Sequence, residues 1–410
     1  MPPRKTRLSP KVEIKDSRLM TPAFIGLCLV VFIAVCNSSV FYGFQVYLQD
    51  LGFGKSQAGF LVSLQALSAM SFYSLFSGLL KLENAAKVLA AGVALLLCCG
   101  LSYPFASGFW AFAGLRMLQG AGGFMVLAPC LTILVSIIPP ERSGSAFSLY
   151  SAFLLAPYSI IPALSERLVV LVPSPAWLYF SCALLYLPAL CVIWLLGSRV
   201  LQGRHSSPPG TNKKAAARAA LSNIFQRSIL SVLVINFVYF TFFNSLFFLF
   251  KDFSLSKGIE QIGIFFSVQT GVMVALRLMT GRLFDLLDKR VLVFLALVVT
   301  GCGFIMLYFM QDASSLIPAA IVFGLGMGVC APALNTLVFL ASEPSYRGFN
   351  ANMMMLSLHL GAFAGPFLGS WTAEVFGYDI FLIAAASAGL LCGLSFLIFY
   401  PKKSSTSKEQ

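Results

Sequence analysis

From residue 23 to residue 400 the chain is a succession of apolar stretches, each close to the length that crosses a bilayer, with almost all charge confined to the breaks between them. A hydrocarbon core needs about 20 helical residues to span it. Twelve stretches qualify: 23–46, 58–80, 88–103, 109–137, 144–164 and 177–196, then 229–250, 262–280, 291–310, 316–341, 350–372 and 380–400. Most end in a turn signal or a charge, such as Pro139-Pro140-Glu141-Arg142 or Pro173-Ser174-Pro175. With 58% apolar and only 10% charged residues in 410 positions, the chain cannot clothe a soluble globule. The expected fold class is an all-α membrane protein.

The position of the basic residues then sets the topology. Twenty-two of the 28 Lys and Arg fall on one side of the stretches, four on the other (Lys55, Arg167, Lys251, Lys257), and Arg116 and Arg277 lie within stretches. The positive-inside rule places the richer side, with both termini, in the cytoplasm, and this requires an even number of crossings. The net charge of +13 is thereby a topology signal and not a nucleic-acid footprint. All ten Cys fall inside the stretches without paired spacing, as small buried apolar residues and neither disulfides nor metal ligands. The first stretch is longer than a signal-peptide core and reads as the first membrane helix. Composition shifts to Gly, Ser, Pro, Lys and Arg over 197–227, a flexible strap with a short basic helix near Ala215–Ala220 on the inner leaflet. The expected division is a tail 1–22, a six-helix bundle 23–196, the linker 197–227, a second bundle 228–400 and a tail 401–410.

The densest charge between two apolar stretches is Gly281-Arg282-Leu283-Phe284-Asp285-Leu286-Leu287-Asp288-Lys289-Arg290. A partial copy, Gly78-Leu79-Leu80-Lys81-Leu82-Glu83-Asn84-Ala85-Ala86-Lys87, lies 203 positions earlier. Ala128-Pro129 and Ala331-Pro332 are also 203 apart, Gln57-Ala58-Gly59 and Gln261-Ile262-Gly263 are 204 apart, and Arg142 and Arg347 are 205 apart. One period through four landmarks marks an internal duplication.

The Gly-x-Leu-x-Asp order followed by a basic cluster resembles the cytoplasmic signature loop of the major facilitator superfamily, found between the second and third helices of each six-helix half. Arg116 in Gly114-Leu115-Arg116-Met117-Leu118-Gln119-Gly120 resembles its fourth-helix motif, and Gly361-x-x-x-Gly365-Pro366 a motif described in the fifth span of exporters. This fifth span has Ala156-Pro157 and Pro162 at that place instead. The resemblance implies twelve helices in two parallel repeats that work by alternating access. It also implies gating roles for Gly78, Glu83, Arg142, Gly281, Asp285, Arg290 and Arg347. Asp285 would face the amino end of a helix in the other half, where the macrodipole attracts an anion. Its counterpart is Leu82, beside Glu83, so the two halves would be latched unequally.

Charge inside a span is costly and asks for a reason. The resemblance of its motif implies that Arg116 faces the cavity and binds an anionic group or couples to protons, against snorkelling or a bond to backbone carbonyls between helices. The stretch around Arg277 locally resembles monocarboxylate transporters, which implies contact with a substrate carboxylate, against a snorkelling gate residue; His359 is a candidate for proton coupling or a structural hydrogen bond. No Asp or Glu lies clearly mid-span, which favours neutral or anionic cargo over organic cations. The uncharged polar candidates for a cavity are Asn37, Tyr42, Gln45, Gln65, Gln119, Tyr150 and Tyr158 in the first half, and Asn236, Tyr239, Asn244, Gln269, Asn335 and Asn352 in the second. They avoid the third, sixth, ninth and twelfth stretches. No cluster of His, Asp, Ser or Cys at one membrane face suggests an enzyme, and no cofactor or metal is implied. The expectation is a monomeric carrier in the cytoplasmic (inner) membrane. It would move a small organic solute with protons as coupling ion, with drug or metabolite export and a solute receptor as alternatives.

Overall fold

Hydrocarbon offers a backbone amide no hydrogen-bond partner, so a chain that crosses it satisfies its amides within its own helices. The computed structural model describes residues 20–138, 142–200, 225–279, 287–343 and 346–400, and among them all regular structure is helical. The main helices are α1 (Pro22–Asp50), α2 (Lys55–Phe76), α3 (Leu82–Phe105), α4 (Phe109–Ile137), α5 (Ser143–Leu168) and α6 (Pro175–Leu195). They continue with α7 (Arg227–Ser256), α8 (Gly263–Met279), α9 (Lys289–Tyr308), α10 (Leu316–Ala341) and α11 (Arg347–Phe399). Ten of these described helices are long and apolar enough to cross a membrane, and α8, with 17 residues, is shorter.

The 53 residues of α11 would reach about 80 Å as one rod, more than twice a hydrocarbon core. Gly377 divides it, at φ 84° and ψ 167°, a conformation that glycine adopts at little cost. The first arm packs on α2 and α7, and the second on α9. Two helices depart from regular α geometry along their length. In α6 a turn at Leu184–Leu185 separates Pro175–Ala183 from Tyr186–Val200, because Pro188 has no N–H to give the Leu184 carbonyl. In α1 the turn Val40–Gly43 tightens to a 3-10 helix.

Packing follows the duplication. α3 meets α4 as α9 meets α10, α2 meets α4 as α8 meets α10, and α1 meets α5 as α7 meets the first arm of α11. Between the halves the two main contacts are α2 with α11 and α5 with α8, which the same relation exchanges. Each half has its own apolar core: one cluster is built from residues 229–396 together with Tyr42, and two others from residues 24–193. The outward surface carries large apolar side chains such as Trp110, Trp194 and Ile398, which suit lipid and not water.

Helices in lipid gain little from hydrophobic association and rely on close backbone approach at small residues. A Cβ on Gly120 would stand 2.1 Å from the Gln65 carbonyl oxygen, and one on Gly324 2.7 Å from that of Gln269. These two contacts are one contact repeated, 204 positions on. Gly120→Val is therefore expected to lower the melting temperature in detergent, by an overpacking cost of about 1–3 kcal/mol or more. Gly114→Ala, where nothing lies within 4 Å, should not lower it, since alanine favours the helix.

Candidate functional site

Where the halves face each other midway along the helices, they enclose a cavity of about 260 Å³. The first half lines it with Ser38 of α1, Gln65, Ala69 and Tyr73 of α2, Arg116 and Gly120 of α4, and Tyr158 of α5. The second half contributes Phe240, Phe243, Asn244, Phe247 and Phe248 of α7 and Leu358, His359 and Ala362 of α11. Five of the residues picked out by sequence meet here: Gln65, Arg116, Tyr158, Asn244 and His359. Asn37, Gln65 and Gln119 line a smaller neighbouring cavity within the first half.

Arg116 is 1% exposed, and two of its three guanidinium nitrogens are hydrogen-bonded while its Nε is buried without a partner. Its Nη1 donates to Gln119 Oε1 at 2.9 Å and its Nη2 to the Val62 carbonyl at 2.8 Å, and the guanidinium lies 5.2 Å from the ring centroids of Phe41 and Phe44. Tyr103 Oη donates to the same Gln119 oxygen at 2.8 Å. A guanidinium lodged between aromatic faces and neutral acceptors keeps its charge at the cavity wall without a carboxylate beside it. His359 packs its ring on Tyr73 of the other half, 5.0 Å between centroids, and its Nε2 is buried without a partner.

The remaining candidates fall elsewhere. Tyr42 meets Phe266 across the halves, and Gln45 accepts a hydrogen bond from Ser370 at 3.1 Å. Tyr150 is buried in the core of the first half. Asn236 donates to the Met354 carbonyl and to Ser357 Oγ, Tyr239 to the Met327 carbonyl, and Gln269 to the Met327 sulfur. Arg277 is half-buried with its Nε unpartnered, and Asn335 and Asn352 are exposed. Of the gating candidates, Gly281 and Asp285 lie outside the described residues. Gly78 is in the turn Ser77–Leu79, Glu83 in the first turn of α3, and Arg142 is exposed just before α5. Arg290 pairs with Asp288 at 2.5 Å, and this guanidinium holds the Asp288 carboxyl below the usual carboxylate range. Arg347 stacks over Phe339.

The sequence reading passed over the apolar wall. Phe240, Phe243, Asn244 and Phe247 follow the i, i+3, i+4, i+7 spacing of one helix face, so this wall was visible in the pattern of α7. Among the described residues no group of three or more His, Cys, Asp or Glu is placed to hold a metal ion.

A membrane chain of two related helix bundles around a shared cavity is built as a solute carrier. The family model of the Major Facilitator Superfamily matches residues 27–356 and 288–410, and the chain belongs to that family. Its members are transporters and not enzymes. Two curated relatives, each called multidrug resistance protein MdtH, come from Aeromonas hydrophila and Aeromonas salmonicida. They are 27% identical over 144 residues and 29% identical over 147, covering 34% and 35% of this chain. Each match spans 36% of the relative's own length. Among solved structures, a bacterial homologue of the human lysosomal transporter Spinster, in an inward-facing and unoccupied conformation, superposes with a TM-score of 0.71 at 12% identity. The match covers 94% of this chain and 95% of that one. A single-site mutant of the peptide transporter POT, in complex with sulfate, gives 0.74 at 13% identity, over 92% of this chain and 93% of that one. At such identity these two share the fold.

The arginine cage gives a direct prediction. Arg116→Met removes one donor from Gln119 and the donor to Val62, at about 1–3 kcal/mol. The ligand-free protein is expected to melt earlier in detergent. An unchanged melting curve would show that the cage does not depend on its arginine.

Proposed function

We propose that the protein is a secondary carrier that moves a small organic solute, neutral or anionic, by alternating access with a proton gradient as its driving force. The observation that carries this reading is the shared cavity. Both halves supply its walls, so a rocking motion would open it to one side and then to the other. Its volume falls just below the roughly 300–1,000 Å³ of small-molecule sites. One wall is aromatic, while Gln65, Asn244, His359 and the caged Arg116 supply polar and cationic character, and no carboxylate stands among the described lining residues. A solute with an apolar body and a polar or anionic head fits this arrangement. His359 is the titratable group that would link proton movement to the cavity.

In this reading 23–196 and 228–400 are the two moving bundles, joined by the linker 197–227 between the tails 1–22 and 401–410. The monomer sits in the cytoplasmic membrane with both termini inside. The relatives called multidrug resistance proteins favour a second reading, proton-driven export of lipophilic compounds, for which the phenylalanine wall of α7 is equally suited.

A thermal-shift screen over carboxylates, sugars, amino acids and lipophilic drugs would supply the solute, and counterflow in proteoliposomes separates a carrier from a receptor. With a hit in hand, Phe243→Ala is expected to weaken binding about tenfold or more, from the lost ring contact and burial. Asn244→Ala should weaken it less. Full affinity in both would remove this cavity as the binding site, and carboxylate hits without drug hits would decide for the first reading.

A further inference from the structure

At the end of the molecule away from Asp288 and Arg347, each half holds a helix of the other by its amino end. Glu166, in the last turn of α5, accepts from the backbone N–H groups of Ile262 at 2.8 Å and Gly263 at 2.9 Å, at the start of α8. Glu374, near the end of the first arm of α11, accepts from the N–H of Ser56 at 2.9 Å and from its hydroxyl, in the first turn of α2. The two glutamates are 208 positions apart and their targets 206–207 apart, so the duplication relates one contact to the other.

An amino end carries unsatisfied N–H groups and about half a positive charge, which a carboxylate from another element can satisfy on both counts. Cations flank the two contacts across the same divide. Lys251 lies 3.3 Å from Glu166 and also donates to the Glu260 carbonyl, while Lys55 lies 3.4 Å from Asp252, which accepts from Tyr378. The helices are closest just inside. A Cβ on Gly263 would stand 2.4 Å from Ala163 Cα, and one on Gly59 would stand 2.6 Å from the Pro366 carbonyl oxygen.

We propose that Glu166 and Glu374 are paired latches that hold this end of the carrier shut, and that releasing them lets the halves part here and close at the other end. Glu166 is the stronger of the two, since it takes two amides and a lysine and its side chain is 12% exposed. In alternating access, on which this inference rests, their strength sets the ratio of the two end states.

Hydrogen exchange on the full chain in nanodiscs, with no solute added, tests this independently of the substrate reading. Glu166→Gln keeps one acceptor oxygen and loses the charge. Replacing such a cap is expected to shift the ratio of states about tenfold, and adding Glu374→Gln should shift it further in the same direction. Amides over 55–60 and 262–266 should exchange faster, and those over 142–147 and 289–293, at the opposite end, should exchange more slowly. Faster exchange at the latches alone, with the far end unmoved, would overturn the proposal and leave two ordinary helix caps. Glu166→Asp, which keeps the charge and shortens the reach, serves if the glutamine variants fail to fold. It should move both ends the same way by a smaller factor, and no change at the far end would again overturn the proposal.

Discussion

The absence of water from the hydrocarbon core governs everything else in this molecule. It commits each crossing segment to a helix, since no other open structure satisfies the backbone. It also removes the usual reason for helices to associate, because lipid is as apolar as leucine. Association must come from proximity, which is why glycine recurs where two helices touch: Gly120 of α4 against α2, Gly324 of α10 against α8, and Gly361 and Gly365 of α11 against α7.

A second consequence concerns the line between the halves. Within a half, the helices share extended apolar clusters. Between halves, apolar contacts such as Tyr42 on Phe266, Tyr73 on His359 and Phe60 against Phe363 and Phe367 are joined by carboxylates, lysines and helix ends toward one end. The polar contacts among these are directional and are lost over a short separation.

The fold was largely readable from the residues because its causes are short-range. Apolar length reports crossing, and a repeated period reports duplication, so the pairing of Gly120 with Gln65 and of Gly324 with Gln269 was latent in the 204-residue spacing. The site was less readable. Gln119 and Arg116 stood out as polar groups in lipid, but the Phe41 and Phe44 rings that enclose the guanidinium lie more than 70 positions away. Asn236 and Tyr239 carry the same signal as Asn244, yet they bond backbone carbonyls of neighbouring helices, and no local pattern separates the two uses of a polar side chain. The phenylalanine face of α7 was legible by spacing, but phenylalanine in a membrane helix suits lipid, core and cavity alike, so spacing did not say which of these it faced.

The sequence by itself determined that the chain is helical, that it crosses a membrane and that it is two copies of one plan, since each of these follows from hydropathy and period along the chain. Only the tertiary structure decided which polar groups face a common cavity and which of the acidic residues near the helix ends bridge the halves. Glu166 meets α8 from nearly a hundred positions away, and Glu374 meets α2 from more than three hundred. Such contacts depend on how packed helices align, and that alignment is set by the sum of many close approaches and by no single stretch of residues.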